Sequence, residues 1–328
     1  MGIINSVKPI HFFEIRPHDR SFYEKSFKSY NIIEHKYPLN VHTASWAKEC
    51  EIVCIFVHSK ITAEIIDSLS KLKHIVTRSV GIDHIDKKAC NRRGIKIWNI
   101  RDYGPHTVAE HTLSLMLAIV RNLSNIVKNA EHGNYYADPE KNRELKNKVL
   151  GIIGTGMIGA EVAKRAHAFD MKILAHDHNK PKELTRDYGV EFKSFQDVLK
   201  HADIITLHVP MTDENRHMIN TKTISSMKKK AYVINTARGG LIDSVALLKA
   251  IQTGKIAGAG LDVLDGEEFI FPEHPARPKT KEEKSKVLAG KRLTSHPNVI
   301  VTPHAAFGSL ESLQRIRQKT VEIIKSIC

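Results

Sequence analysis

The sequence predicts an α/β protein with two doubly wound parallel sheets, and three observations support this fold class. At 328 residues the chain is about twice the length of a typical single domain, so two packed units are expected. Strand-like and helix-like segments alternate in two successive stretches, the second of which begins at Lys148. A glycine-rich turn stands between the first strand and first helix of that second stretch. Such alternation is typical of parallel sheets covered by helices on both faces.

Composition excludes several other classes of protein. Hydrophobic residues make up 41% of the chain and charged residues 26%, as in globular domains, and no run of 18 apolar residues predicts a membrane-spanning helix. The first residues lack the basic start and apolar stretch of a secretion signal. Four irregularly spaced cysteines suit neither a disulfide framework nor a zinc site. We therefore expect a cytoplasmic protein with no membrane partner and no metal.

The net charge raises the question of nucleic acid. Lysine and arginine exceed acidic residues by 50 − 36 = 14. The basic residues are nevertheless spread along the chain and interleaved with acids, and no arginine-rich tail or aromatic-basic stripe is present. A solvated surface that attracts anionic substrates accounts for the charge better than a nucleic-acid partner does.

The first hundred residues predict one sheet. The expected strands are Lys8 to Ile15, Ile52 to Val57, His74 to Val80 and Lys96 to Ile100, with helices at Arg20 to Ser29 and Ile61 to Leu72. A helix at Val108 to Leu123 follows and is apolar nearly all round. Such a helix is expected to be buried, either as an ordinary core helix or between domains or subunits.

The second stretch predicts six strands, the number in a complete dinucleotide-binding fold. The expected strands are Val149–Ile153, Lys172–His176, Ile204–Val209, Tyr232–Asn235, Gly258–Val263 and Val299–Thr302; the helices are Ile158–Phe169, Phe195–His201, Thr221–Met227 and Ser244–Thr253. Glu268 to Ser295 breaks the alternation with prolines and mixed charge, which predicts a long surface insertion. The final helix, Leu310 to Ile327, has no place in a six-stranded sheet and is expected to pack on the first domain. The predicted domains are therefore residues 1–102 with 304–328, and residues 103–303.

A G-x-G-x-x-G pattern marks a phosphate-binding turn. Gly154, Gly156 and Gly159 follow a strand and open a helix. In such a loop the first glycine permits the tight turn, the second lets the backbone approach a pyrophosphate, and the third lets the helix pack on the strand. The helix N-terminus then offers free N–H groups to the phosphates.

An acidic residue at the end of the next strand strengthens this interpretation. Asp177 lies 18 residues beyond Gly159, where a carboxylate would accept hydrogen bonds from a ribose 2′-hydroxyl. The same charge would repel a 2′-phosphate, so the sequence favours NAD over NADP. The alternative, a structural glycine turn beside a surface aspartate, does not explain why the three features occur together.

Three chemically suited residues follow predicted strands. Arg238 presents a rigid fork suited to a carboxylate or a polarised carbonyl, and it lies at the strand end where ligands bind in open α/β sheets. His304 ends another strand, and Glu267 follows a third closely. A carboxylate beside a histidine favours the protonated imidazole, which could exchange a proton with a substrate oxygen. Each residue alone would more often be a surface charge or an incidental histidine.

With these motifs the sequence resembles the D-2-hydroxyacid dehydrogenase family, most clearly from Ser79 onward. The stretches that carry the resemblance are Ser79 to Asp83, Thr107 to His111, the glycine loop, His208 to Pro210, Asn235 to Gly239, Gly260 to Val263 and Thr302 to His304. The resemblance implies a Rossmann NAD-binding domain and a flavodoxin-like substrate domain. It also implies that Arg238, Glu267 and His304 are catalytic, with His304 the proton donor.

The resemblance carries further residue roles. The implied cofactor contacts are Gly154, Gly156, Met157, Ile158, Gly159, Asp177, Val209, Pro210, Asn215, Thr236, Ala237, Arg238 and Asp262, the last accepting a bond from the nicotinamide amide. The implied substrate contacts are Val80, Gly81, Tyr103, Arg238 and Phe307. Residues 108–123 would form the contact of a homodimer.

Some features are closest to the D-lactate dehydrogenases of this family, and others depart from the family pattern. Tyr103, Phe307 and the segment after Glu267 fit that branch, so pyruvate and D-lactate are the expected substrate pair. Leu264-Asp265 stands where an aromatic residue and a glutamate are usual, and Glu268 is an alternative to Glu267 as the histidine's partner. Glyoxylate, hydroxypyruvate or a bulkier 2-keto acid is the nearest alternative substrate. A non-enzymatic NAD-sensing scaffold is a more distant one, because fold alone does not fix function.

Overall fold

Two parallel sheets organise the chain in the computed structural model, which describes residues 9–270 and 277–328 apart from the side chain of Glu268. The strands are β1 (Ile10–Phe12), β2 (Ile32–Glu34), β3 (Ile52–Ile55), β4 (His74–Thr77), β5 (Lys96–Asn99), β6 (Val149–Ile153), β7 (Lys172–His176), β8 (Glu191–Phe192), β9 (Ile204–Leu207), β10 (Ala231–Asn235), β11 (Ile256–Leu261) and β12 (Val299–Val301). The helices are α1 (Pro17–Ser26), α2 (Ala63–Ser68), α3 (Lys87–Arg92), α4 (Pro105–Val120), α5 (Leu123–Glu131), α6 (Met157–His167), α7 (Lys182–Tyr188), α8 (Phe195–His201), α9 (Thr221–Ser226), α10 (Ser244–Gln252), α11 (Glu267–Ile270), α12 (Lys281–Thr294) and α13 (Leu310–Ile327). In this part of the chain, no helix is both long and apolar enough to cross a membrane.

The first sheet has the strand order β2-β1-β3-β4-β5, and every neighbouring pair is parallel. This is the flavodoxin-like order, so the predicted fold of this part is confirmed. The chain-terminal helix α13 packs here: Ile324 is fully buried in one core with Phe12 and Tyr23, and Arg317 Nε donates to Asp19 Oδ1 at 2.7 Å. Residues 9–103 and Ser309–Cys328 together form one compact unit.

The second sheet lies within the other compact unit, Gly104–Gly308, and has the order β12-β11-β10-β9-β6-β7-β8. All its neighbouring pairs are parallel. Strands β6 and β9 are almost continuously buried, as strands covered on both faces should be. The chain runs outward from β6 through β7 and β8, and then returns to β9 on the other side of β6. This reversal makes a crevice at the carboxyl ends of β6 and β9, where ligands bind in such sheets.

Two very short edge strands were not predicted. The predicted six-strand count for the second sheet is wrong, because β8 adds a seventh strand of two residues at its edge. In the first sheet, β2 is an edge strand of three residues that none of the predicted strands includes. Short edge strands carry little hydrophobic pattern of their own, because one side has no partner strand.

The apolar helix predicted at residues 108–123 corresponds to α4, which begins at Pro105 and ends at Val120, three residues earlier than predicted. Helix α4 ends at Val120, Asn122 adopts the left-handed region with φ 53°, and α5 begins at Leu123. Seven residues of α4, including Leu115 and Ile119, are buried in the second unit, where α4 packs on α6 and β11. It is therefore a core helix of that unit. Helix α5 buries none of its residues.

The segment Glu268 to Ser295 is not the plain surface insertion that its composition predicts. Thr280 and Glu283 form a reciprocal capping box that begins α12. The helix buries Val287, Ala289 and Leu293, and it packs on α10. Residues 271–276 lie outside the described structure. Mixed charge on the exposed face of α12 concealed this buried face in the sequence.

Candidate active site

The glycine loop joins β6 to α6 as the sequence predicts, and its three glycines have different surroundings. Gly154 has φ 95°, and a Cβ there would lie 2.7 Å from the carbonyl oxygen of His208. A Cβ on Gly159 would lie 1.9 Å from the carbonyl oxygen of Gly154, so helix and loop touch backbone to backbone. A Cβ on Gly156 would meet nothing within 4 Å. The first and third glycines therefore close the loop, and the second leaves open space.

The N-terminus of α6 faces this open space without a competing side chain. Gly156 is the residue that caps α6, and no side chain of the described residues bonds to the first N–H groups of the helix. Uncapped N–H groups and the helix dipole favour an anion at such an end. The loop thus fits the pyrophosphate of a dinucleotide.

Asp177 follows β7 and is tied to the glycine loop. Its Oδ2 accepts the backbone N–H of Thr155 at 2.6 Å and the Thr155 hydroxyl at 3.1 Å. Its Oδ1 accepts the N–H of Asn179 at 2.9 Å. Burial raises the pKa of Asp177, but these hydrogen bonds outweigh it and hold the pKa below its ordinary value. The carboxylate is therefore ionised at neutral pH beside the loop, as ribose recognition requires.

The other predicted cofactor residues lie in the segments that follow β6, β9, β10 and β11. Met157 and Ile158 begin α6, and Met157 is half exposed. The segment after β9 carries Val209 and Pro210, and Asn215 closes it by donating to the Pro210 carbonyl at 2.7 Å. Because the strands are parallel, these loops share one edge of the sheet.

The segment after β10 carries Thr236, Ala237 and Arg238. Thr236 is held against α4 through a 2.8 Å contact between its hydroxyl and that of Thr112. The half-buried Arg238 donates from Nη1 to the carbonyl of Ala237 at 2.7 Å. A Cβ on the next residue, Gly239, would lie 2.1 Å from the carbonyl oxygen of Leu264. The Arg238 segment therefore lies directly against the loop that leads to Glu267.

Glu267 and His304 form the hydrogen-bonded pair that the sequence predicts. His304 Nδ1 lies 3.0 Å from Glu267 Oε1, and Glu267 Oε2 accepts the backbone N–H of Leu264 at 3.2 Å. Burial lowers the pKa of His304, while Glu267 and Asp262 raise it and Arg238 opposes protonation. The net pKa lies above its ordinary value. The pair therefore favours a protonated imidazole whose other nitrogen, Nε2, is not engaged by Glu267.

Asp262 holds the turn that carries His304. The fully buried carboxylate accepts the Thr302 hydroxyl at 2.6 Å and the Ala305 N–H at 2.8 Å on Oδ1, and the Ala306 N–H at 3.0 Å on Oδ2. The backbone of His304, with φ 51°, donates to the Asp262 carbonyl at 2.8 Å. Burial raises the pKa of Asp262, but the hydrogen bonds that the carboxylate accepts outweigh this effect, so the net pKa lies below its ordinary value. Its expected bond to the nicotinamide amide stays a prediction, because the structure engages this carboxylate within the protein.

His111 belongs to the same hydrogen-bond network, although it is not among the site residues predicted from the sequence. Its Nε2 lies 3.0 Å from Thr302 Oγ1 and 3.4 Å from Asp262 Oδ1. Since the Thr302 hydroxyl donates to Asp262, His111 Nε2 is the donor to Thr302. The sequence placed His111 on the helix after Thr107, but only the fold brings that helix to this turn.

Val80, Gly81 and Tyr103 belong to the first unit. The Val80 carbonyl accepts Asn99 Nδ2 at 2.7 Å, and Ser79 Oγ donates to the Gly81 carbonyl at 2.8 Å, so the loop after β4 is held by its carbonyls. Among the described residues, no acceptor takes up the N–H groups of Val80 and Gly81. These donors suit a carboxylate. Tyr103 is buried, and its carbonyl accepts Arg315 Nε at 2.5 Å.

Phe307 lies in the second unit, in the turn held by Asp262, and is half-buried. Its participation in one pocket with Val80, Gly81 and Tyr103 stays a prediction. The side chain of Glu268, the alternative partner of His304, lies outside the described residues. No cluster of three or more metal-ligating side chains occurs within residues 9–270 and 277–328.

Comparisons with known proteins fit this geometry. Residues 113–306 match the profile of the family described as "D-isomer specific 2-hydroxyacid dehydrogenase, NAD binding domain". A "2-hydroxyacid dehydrogenase homolog 1" of Schizosaccharomyces pombe is 35% identical over 318 residues, which cover 95% of this chain and 94% of that protein. The chain belongs to the D-2-hydroxyacid dehydrogenase family. Like other members, this dehydrogenase is an NAD-dependent oxidoreductase that acts on the CH–OH group of a 2-hydroxy acid.

Other relatives of the dehydrogenase act on different acids. A hydroxypyruvate reductase of Thermotoga maritima is 38% identical over 276 residues, covering 84% of each chain. The D-lactate dehydrogenase of Aquifex aeolicus, solved with NAD and lactic acid, has 38% identity and a TM-score of 0.90 over 97% of this chain and 95% of that one. The relatives therefore establish the reaction class without fixing the substrate.

Proposed function

We propose that the enzyme interconverts a small 2-keto acid and its D-2-hydroxy acid, with pyruvate and D-lactate as the preferred pair. The observation that carries this proposal is the Glu267–His304 pair beside the Arg238 segment, in a chain similar over 97% of its length to a D-lactate dehydrogenase solved with lactic acid. Tyr103 and Phe307 are the residues proposed to shape the pocket around the 2-substituent. NAD supplies or accepts the hydride when bound.

The catalytic roles follow from the chemistry of each group. Arg238 binds the substrate carboxylate or keto oxygen and draws electron density from the carbonyl. His304, protonated with the help of Glu267, donates a proton from Nε2 to the oxygen during reduction and takes it back during oxidation. The N–H groups of Val80 and Gly81 receive the carboxylate. The glycine loop, Asp177 and the segments that follow β9 and β10 bind and orient the cofactor.

Two further properties belong to this proposal. We propose a homodimer through residues 108–123, supported by the adjacent α5, which leaves Leu123 and Val127 about half exposed. We also propose that the enzyme works in the cytoplasm, as suits its four free cysteines.

The test is oxidation of NADH, followed at about 340 nm, with pyruvate, glyoxylate, hydroxypyruvate and 2-ketoisocaproate. Fastest turnover of pyruvate with D-lactate as product is expected. A clear preference for another acid would keep the mechanism and reject the substrate. Since one methylene in a pocket is worth only about 1–3 kcal/mol, the kcat/KM ratios between acids decide this point. Tight NADH binding without any oxidation would favour the scaffold alternative.

A further inference from the structure

One buried carboxylate close to the proposed catalytic residues has no role in the mechanism above. Asp265 lies two residues before Glu267 and is only 6% exposed. Its Oδ2 lies 2.7 Å from His217 Nε2 and 3.7 Å from Lys286 Nζ, and its Oδ1 lies 3.7 Å from a terminal nitrogen of Arg216. Three basic side chains from two separate segments therefore converge on one acid.

His217 connects the two loops that carry the catalytic groups. Its backbone N–H donates to the carbonyl of Gly240 at 2.8 Å, which fixes it to the segment that begins with Arg238. Its imidazole reaches Asp265 in the loop that leads to Glu267. His217 therefore links the Arg238 segment to the loop that leads to Glu267 and fixes the distance between them.

The backbones of these two loops are in close contact. A Cβ on Gly239 would lie 2.1 Å from the Leu264 oxygen and 2.7 Å from the Asp265 nitrogen. Within the loop, Glu267 N–H donates to the Leu264 carbonyl at 3.1 Å while Glu267 Oε2 accepts the Leu264 N–H at 3.2 Å. A shift of Asp265 would therefore move Glu267, and with it the orientation of the His304 ring.

Energetics also favour a positioning role. Burying the Asp265 carboxylate costs desolvation, and apolar residues of similar volume are often as stable as a buried polar contact of this kind. His217 also adopts φ 51°, a left-handed conformation that is unfavourable for a residue with a Cβ. A free-energy cost of this kind is typical of functional sites, where the surrounding structure holds a side chain in one orientation. Lys286 also brings α12 to the Asp265 carboxylate. Its Nζ pairs with Glu282 on the same helix as well as with Asp265.

We propose that His217 and Asp265 are positioning residues of the reaction, which set the Glu267–His304 pair relative to Arg238. This inference rests on the proposed function. The pair touches neither substrate nor cofactor in this proposal, and it acts through the loop from Leu264 to Glu267.

The experiment compares the variants His217→Ala, Asp265→Ala and the double variant with wild type. His217→Gln is the conservative variant, since its amide can still donate to Asp265. Glu191→Gln is the matched control, because Glu191 lies on β8, at the far end of the sheet from β11, and the change removes only its ion pair with Lys193. For each protein we would measure kcat, KM, NADH affinity, thermal stability and the pKa of His304 by NMR titration.

Both alanine variants are expected to lower kcat about 10- to 100-fold, as a small misplacement of catalytic groups does, while NADH affinity stays unchanged. The double variant should lose no more than the worse single one, because the two residues act as a unit. The pKa of His304 should fall in the alanine variants, and His217→Gln should restore most of kcat.

A loss of thermal stability with kcat and the pKa of His304 unchanged would overturn the proposal and leave a merely structural contact between His217 and Asp265. Additive losses in the double variant would also contradict it. If wild type reduces none of the 2-keto acids, the proposed function fails by itself. The NMR comparison of the pKa of His304 still decides the positioning role in that case, because it needs no turnover.

Discussion

The hydroxyl of Thr302 donates to Oδ1 of Asp262 over 2.6 Å, and this bond begins the set that fixes the turn around His304. The turn needs such support because His304 adopts a left-handed backbone conformation, which disfavours residues with a Cβ. A buried acid thus holds the backbone turn from which the imidazole extends, while Glu267 contacts the ring itself. The family resemblance assigns Asp262 only to the cofactor.

Thr302→Val, which keeps the shape and removes the hydroxyl, is expected to lower kcat and to destabilise the protein by about 1–3 kcal/mol, because a buried acceptor loses its donor. Thr302→Ser keeps the hydroxyl and is the matched control. Denaturant unfolding and steady-state kinetics measure the two effects. Equal kcat in both variants would show that the bond does not orient His304.

Glu267→Gln should move the upper pH limit of keto-acid reduction toward lower pH. Glu267 helps to hold the pKa of His304 above its ordinary value of 6.5, and reduction requires the protonated imidazole. The stabilisation from this pair is fully present below that ordinary value and is lost as pH rises through the folded-state pKa. A pH profile of kcat/KM measures the shift, and an unmoved profile would point to another partner, such as Glu268.

His304→Gln should reduce turnover by about 10²–10⁴-fold while NADH binding persists, since it removes the proton donor and leaves the glycine loop intact. His201→Gln is the control, because His201 is exposed at the end of α8 and its ring contacts the Asp197 carbonyl, away from the proposed site. Stopped-flow turnover and NADH fluorescence titration measure the two properties. Undiminished turnover would remove His304 from the mechanism.

Gly156→Ala and Gly159→Ala should fail in different ways. An added methyl on Gly156 meets no protein atom within 4 Å, so the fold should persist while NADH affinity falls. A methyl on Gly159 would lie 1.9 Å from a backbone oxygen, so stability itself should fall. Calorimetric unfolding and NADH titration separate the outcomes. Full NADH affinity in Gly156→Ala would place the pyrophosphate elsewhere.

Asp177→Ala should weaken NADH binding and reduce the discrimination against NADPH. The carboxylate is an acceptor for the ribose hydroxyls in this proposal and repels a 2′-phosphate. Asp177→Asn retains an acceptor for Thr155 and serves to separate loss of charge from loss of loop support. The ratio of kcat/KM for the two cofactors is the measurement, and an unchanged ratio would remove Asp177 from ribose recognition.

Local patterns predicted the parts of this molecule whose partners are close in the chain. The turn from Ile153 to Met157 and the acid at Asp177 follow from strand, glycine and helix signals, and they lie where expected. The Glu267–His304 pair was predicted from strand ends and from the family resemblance, and the structure brings the two residues together.

Contacts between distant residues set the limit of that prediction. His111 and Thr302 are 191 positions apart, and Asp265 and His217 are 48 apart, so no local pattern relates them. Helix α12 was not expected from the sequence for a different reason, because its exposed charged residues outnumber its apolar residues. Its buried Val287, Gly290 and Leu293 nevertheless recur every third residue, a spacing that indicates one face of a helix.

The backbone contact between Gly159 and Gly154 has a thermodynamic consequence. Together with the bonds from Thr155 to Asp177, it holds the turn after β6 in its final shape before any nucleotide arrives. The protein then has little conformational entropy to lose at this turn when the pyrophosphate binds. Most of the conformational entropy lost on binding should therefore come from the rotatable bonds of the nucleotide. Calorimetry of AMP and NADH binding would measure how the entropy loss divides between protein and ligand.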